Sequence, residues 1–123
     1  MNRIILLEDD TLLAVVQKKM LRTLGYDVIG VSASGEEGLD KIKSLKPDII
    51  VSDQNLMGSM TGLDVVEALR DDDDNTPVLI LSGDTTYEHL TQASIYPNVQ
   101  PLAKPVNIDD LKKILSQVKE SVN

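Results

Sequence analysis

The sequence predicts a doubly wound α/β fold, (βα)5, in which one parallel sheet is covered by helices on both faces. Three observations predict it. Five short aliphatic runs recur along the chain: Ile4–Leu7, Val28–Val31, Ile49–Val51, Val78–Leu81 and Leu102–Ala103. Stretches with helical spacing or helix-capping residues separate them, so strand-like and helix-like patterns alternate from end to end. The strand-like runs are also continuously apolar, as strands buried on both faces must be.

The elements follow in order. After Ile4–Leu7, the residues Leu12, Leu13, Val15, Val16, Met20, Leu21 and Leu24 repeat at helical spacing. Gly25 stands where that helix ends, because glycine accepts the left-handed conformation of a helix C-terminus. Val28–Val31 is the second strand, and Ser34 with Glu37 has the form of a capping box opening the second helix. Ile49–Val51 comes next, followed by Thr61 with Asp64, a second such box, and then by Val78–Leu81. The stretch Thr85–Ser94 carries the weakest helical signal. Leu102–Ala103 is the fifth strand, and Asn107 with Asp110 opens the last helix. No linker, repeat or low-complexity segment interrupts the alternation, so residues 1–123 are expected to form one domain.

Composition narrows the function classes. A chain of 123 residues can bury one stable core, and 41% hydrophobic residues is ordinary for a globular protein. The net charge of −8 argues against a broad grip on nucleic acid or anionic lipid. The absence of cysteine removes disulfides and zinc–thiolate sites. No apolar run approaches the roughly 20 residues of a membrane span, and a strand-like segment follows Met1–Arg3 directly. The expectation is a cytoplasmic protein without leader or anchor. The four acids Asp71–Asp74 read as a solvated loop rather than a metal site, since adjacent like charges repel. His89, the single histidine, reads as a surface residue with no partner motif around it.

In open parallel sheets, ligands bind beyond the carboxyl ends of the strands. Here the first strand ends in Glu8-Asp9-Asp10, the third in Asp53, the fourth in Ser82 and the fifth in Lys104-Pro105. Any one of these acids alone is more simply an exposed turn residue; their coincidence at one rim carries the weight. Clustered carboxylates repel unless a cation neutralises them. Hard oxygens without His or Cys select Mg²⁺, Mn²⁺ or Ca²⁺. A lysine and a hydroxyl opposite the metal suit a phosphoryl group, and a carboxylate beside a metal can be its nucleophilic acceptor.

Over residues 4–120 the chain resembles the receiver domains of response regulators in two-component signalling. Four motifs carry the resemblance: Leu6-Leu7-Glu8-Asp9-Asp10, the strand Pro47 to Asp53, the strand Thr76 to Ser82, and Lys104-Pro105. The resemblance implies a flavodoxin-like sheet of strand order 2-1-3-4-5, with the switch point between the strands bearing Glu8/Asp9 and Asp53. It implies Asp53 as phosphoacceptor and Mg²⁺ as cofactor. Asp9 would bind the ion directly, Glu8 through water, and Asn55 through its backbone carbonyl. Ser82 would bond a phosphoryl oxygen, Lys104 would pair with the phosphoryl group, and the bond to Pro105 would be cis. The implied partners are a sensor histidine kinase or histidine phosphotransfer protein, and a downstream protein or output domain. No nucleic acid or membrane is implied for this domain, and no catalysis beyond its own phosphorylation and dephosphorylation. The residues 1–123 would either act alone or be the receiver of a longer regulator.

Two departures from the family pattern stand out. The usual Met-Pro after the acceptor is missing from Leu56-Met57-Gly58-Ser59-Met60-Thr61-Gly62, which is one residue longer, so a more mobile metal-side loop is expected. Three residues before the lysine, where the family carries an aromatic switch, stands Pro101. An edge strand tolerates proline, but a ring locked to the backbone cannot swing. Tyr96 nearby reads as loop packing. A degenerate receiver, binding partners without phosphorylation, is the alternative; Pro101 favours it slightly, while the complete acid set and Lys104 oppose it. A metal-dependent phosphatase or nuclease would need an Asp-x-Asp-x-Thr motif or a catalytic histidine. A flavodoxin-like cofactor binder would need a phosphate-binding loop where Glu8-Asp9-Asp10 instead repels anions.

Overall fold

Parallel strands cannot be joined by tight turns, and the first three connections between strands are helical crossovers. The computed structural model describes residues 2–83, 92 and 95–122. In order along the chain these form β1 (Arg3–Leu7), α1 (Thr11–Thr23), β2 (Asp27–Ser32), α2 (Gly35–Leu45), β3 (Ile49–Asp53), α3 (Gly62–Asp71), β4 (Val78–Ser82), β5 (Val99–Ala103) and α4 (Ile108–Val122). All strand pairs are parallel and the sheet order is β2-β1-β3-β4-β5. The predicted doubly wound fold and strand order are therefore observed. The stretch Thr85–Ser94, with His89 and Asp84, lies outside the described residues apart from Gln92.

Side chains of a strand alternate between faces, and here each face feeds its own core. Ile5, Leu7, Ile50 and Ile80 pack with Ile42 of α2 and with Val66 and Leu69 of α3. Ile4, Leu6, Val51 and Leu79 pack on the other side with Leu21 of α1 and with Leu111 and Leu115 of α4. These residues are at most 2% exposed, which is why β1, β3 and β4 read as unbroken apolar runs.

The helix ends largely match their sequence signals. Past α1, Gly25 has φ +95°, and the bonds Tyr26 N–H to Leu21 O (3.0 Å) and Gly25 N–H to Arg22 O (3.0 Å) make a Schellman motif. Thr61 and Asp64 form a complete reciprocal capping box at the start of α3. At α2 only half of the box exists: Ser34 Oγ accepts from Glu37 N–H, while the Glu37 carboxylate pairs with Lys41. Asn107 Oδ1 accepts from Asp110 N–H at 2.8 Å.

α1 forms, but not with the inward face its apolar residues suggest. Leu12 and Val15 are 73% and 61% exposed, and Leu13 and Val16 are also exposed. Ala14, Gln17, Leu21 and Leu24 are the positions turned toward the sheet, and Gln17 is only 5% exposed. The acids after α3 do local work. Lys43 pairs with Asp72, and Asp74 Oδ1 accepts from Thr76 N–H. Pro101 lies on the edge strand β5, opposite Ile80. Tyr96 packs partly buried against the α2/α3 core, as loop packing predicts. Among the described residues no helix is long and apolar enough to cross a membrane.

α3 starts directly beneath the end of β3. A Cβ on Gly62 would sit 2.6 Å from the backbone oxygen of Asp53 and 3.2 Å from Ile80 Cδ1. A backbone atom in a sheet cannot step aside, so Gly62→Ala is expected to destabilise the fold by about 1–3 kcal/mol, as overpacking does. Urea unfolding measures this; an unchanged midpoint would mean that α3 slides away without loss.

Candidate phosphoacceptor and metal site

The parallel register brings the predicted residues to one rim. Leu7 is opposite Ser52, so Glu8 and Asp53, one residue further along each chain, emerge side by side. Glu8 N–H still bonds Ser32 O at 2.9 Å, which extends the ladder beyond β1. On the other side Ser82 is opposite Ala103, and Lys104 N–H bonds Ser82 O at 2.9 Å. Lys104 thus leaves the sheet beside the acids, and its bond to Pro105 is cis.

One carboxylate oxygen each from Glu8, Asp9 and Asp53 lies within 4.8 Å of the others. Lys104 Nζ is 3.0 Å from Asp53 Oδ2 and 3.4 Å from Glu8 Oε1. Glu8 is the anchored member. Its side chain is fully buried, Oε2 accepts from Asp10 N–H at 3.2 Å, and Oε1 accepts from Gln17 Nε2 at 2.9 Å. Asp10 is not part of the cluster: its Oδ1 caps α1 by accepting from Leu13 N–H. Asp9 is exposed at the mouth, Ser82 is buried at the end of β4, and Asn55 is exposed two residues past Asp53.

Three carboxylates against one ammonium leave the site short of positive charge. The Asp9 carboxyl is raised above its ordinary value, first by partial desolvation, then by a hydrogen bond with Glu8 and by that residue's charge. Burial alone would lower the Lys104 ammonium. Its hydrogen bond and attraction to Asp53, then the charge of Glu8, more than offset this and leave it raised. Lys104 therefore stays protonated. The donor set consists of hard oxygens with no nitrogen or sulfur, and its close spacing matches a small divalent cation with water completing the shell. These residues fit Mg²⁺.

The loop after Asp53 has tethers that its composition hides. Met57 N–H bonds Ala33 O, and Met60 N–H bonds Glu36 Oε1. Gln54 closes the loop at its base, its backbone oxygen accepting from Gly62 N–H and its Oε1 from Leu63 N–H. These bonds tether the stretch that lacks the Met-Pro of the receiver pattern. Sequence reasoning missed Gln54, Gly62 and Gln17. For Gln17 a signal existed, since residues 14, 17, 21 and 24 share a helical face, but the neighbouring Leu12, Leu13, Val15 and Val16 outvoted it.

A groove of about 360 Å³ adjoins the site, lined by Leu13, Val16, Gln17, Met20, Lys104, Pro105 and Val106. A larger cavity of about 490 Å³ lies at the opposite rim, near the starts of β3 and β4. Its acids Asp72 and Asp74 are already engaged with Lys43 and Thr76, so we assign the chemistry to the acidic rim despite its smaller volume.

Comparison with known proteins agrees with this geometry. The family model of the response regulator receiver domain matches residues 4–116. The chain is 28% identical over 119 residues to the probable C4-dicarboxylate response regulator DctR of Halalkalibacterium halodurans, covering 96% of this chain and 51% of that protein. It is 34% identical over 109 residues to the cell cycle transcriptional regulator CtrA of Caulobacter vibrioides, covering 89% of this chain and 46% of that protein. The chain therefore spans about half the length of these two relatives. The solved receiver domain of Francisella response regulator 1452 superimposes with a TM-score of 0.88 at 26% identity, each chain covered completely. The chain belongs to the response regulator receiver domain family.

Proposed function

We propose that this receiver takes a phosphoryl group onto Asp53 from a phosphohistidine, carried by a sensor histidine kinase or a histidine phosphotransfer protein. The observation that carries the reading is the convergence of Glu8, Asp9 and Asp53 around Lys104, whose ammonium is 3.0 Å from Asp53. A lone pair of the Asp53 carboxylate forms the new O–P bond. The P–N bond breaks, and its electrons return to the partner's imidazole, which leaves as the neutral ring because its other nitrogen already carries a proton. Mg²⁺, held by Asp9, Asp53, the Asn55 carbonyl and, through water, Glu8, would neutralise charge on the phosphoryl oxygens.

The chain's own groups supply the rest. Lys104 transfers its ion pair from the Asp53 carboxylate to a phosphoryl oxygen, and the Ser82 hydroxyl donates to another. Moving Ser82 and Lys104 together pulls on the ends of β4 and β5, which is the conformational signal to a downstream protein or output domain. Pro101 has no swinging side chain, so the signal leaves through the segment after Ser82 rather than through a rotating aromatic on β5. The domain catalyses only its own phosphorylation and dephosphorylation. The reading includes a cytoplasmic location.

Incubation with acetyl phosphate and Mg²⁺ is expected to add one hydroxylamine-labile phosphate per chain, and Asp53→Asn to abolish it with the fold retained by circular dichroism. Wild-type incorporation by Asp53→Asn would refute the acceptor assignment. Failure of the wild type to incorporate phosphate would favour phosphorylation-independent binding. Separately, Mg²⁺ is expected to raise thermal stability by about 2.7 kcal/mol at one hundred times its dissociation constant. Asp9→Ala should remove most of that gain. Calorimetry is the suitable measurement because the chain has no tryptophan; an unmoved transition in millimolar Mg²⁺ would count against the metal site.

A further inference from the structure

We infer that Gln17 is a positioning residue for the metal site, holding the Glu8 carboxylate toward the cation and restraining its pairing with Lys104. The inference rests on the Mg²⁺ reading above. Gln17 occupies a core-facing turn of α1, in line with Ala14, Leu21 and Leu24, and is 5% exposed. An apolar residue would fill that position without burying an amide. Gln17 Oε1 is in fact buried with no hydrogen-bond partner among the described residues. The one hydrogen bond of the Gln17 side chain found there is Nε2 to Glu8 Oε1, at 2.9 Å. Turning the amide over would set its carbonyl against the carboxylate, so charge complementarity fixes its orientation.

The consequence lies in which donors share which oxygen. Gln17 and Lys104 both donate to Glu8 Oε1, at 2.9 Å and 3.4 Å, while Lys104 keeps its shorter contact of 3.0 Å to Asp53. The amide partly satisfies the oxygen that would otherwise draw the ammonium away from Asp53. It also tethers the carboxylate to α1, as outer partners of metal ligands do. Without it, Lys104 pairs more fully with Glu8, and Mg²⁺ must compete with that ion pair for an acid that is no longer held.

The test is an Mg²⁺ titration, by calorimetry or NMR, of the unphosphorylated full chain as wild type, Gln17→Leu, Glu8→Ala and the double variant. Gln17→Leu is expected to weaken Mg²⁺ about tenfold, with urea stability unchanged or higher because the unpaired carbonyl is gone. In the Glu8→Ala background the same substitution should change the dissociation constant by less than about twofold, since nothing remains to be held. Gln17→Met, equally long and unbranched but without a donor, repeats the measurement should leucine disturb the helix. An unchanged dissociation constant for Gln17→Leu and Gln17→Met would overturn the inference. So would a tenfold loss that persists in Glu8→Ala, which would mean that α1 itself had shifted. Absence of Mg²⁺ binding by the wild type is a separate result and would overturn the underlying metal reading together with this one.

Discussion

Lys104 reaches the acidic rim from the edge strand, and its ammonium holds Asp53 and Glu8 together at 3.0 Å and 3.4 Å. Much of the architecture serves to deliver that one charge. β5 must pair with β4 in register, with Ser82 opposite Ala103, for the side chain to emerge beside the acids. β1 and β3 must be adjacent for those acids to meet. The apolar side chains on both faces of β1, β3 and β4 stabilise that register, and a slip by one residue would turn each of them to the wrong face. A site built on buried strands is rigid at the cost of concentrating like charge, and Lys104 offsets only part of it.

The two acids following β1 divide the work by their surroundings. Glu8 is buried, bonded at both oxygens and held by α1 through Gln17. Asp9, next along the chain, is exposed, and its carboxyl is raised by partial desolvation and by Glu8 beside it. A buried, fully bonded carboxylate suits an indirect role, since breaking its bonds to reach an ion would leave buried donors unpaired. An exposed and destabilised carboxylate has the most to gain from a cation. In the proposed metal site, adjacent positions would thus take different roles because one is buried and bonded and the other exposed.

Much of this was legible in the sequence because it follows from periodicity and strand ends. The unbroken apolar runs located β1, β3 and β4, the fifth run only the end of β5; Gly25 and Thr61/Asp64 marked helix ends, and the acids at strand termini pointed to the candidate rim. What stayed illegible depended on contacts between distant segments. The inward face of α1 could not be chosen from apolar counts, because Leu12 and Val15 point to solvent while Gln17 points inward. Gly62 looks like an ordinary turn glycine until the Asp53 carbonyl is seen 2.6 Å from where its Cβ would lie. The anchors of the loop after Asp53 come from Ala33 and Glu36, more than twenty residues earlier in the chain.

Those anchors bear on how a proline-free loop is held beside the acidic rim. Proline restricts a loop by removing backbone freedom from the unfolded chain and fixing φ in the folded one. Hydrogen bonds from Met57 and Met60 to the segment around α2 restrict it differently, by tying it to a neighbouring element. The second device has a consequence that the first lacks. Glu36, which receives Met60 N–H, sits in the first turn of α2, so a displacement of that helix is passed to the loop bearing Asn55. On the opposite side, Gln17 passes a displacement of α1 to Glu8. The two helices that flank β2 in sequence therefore each hold one side of the acidic rim, and moving either helix would alter that rim without touching Asp53.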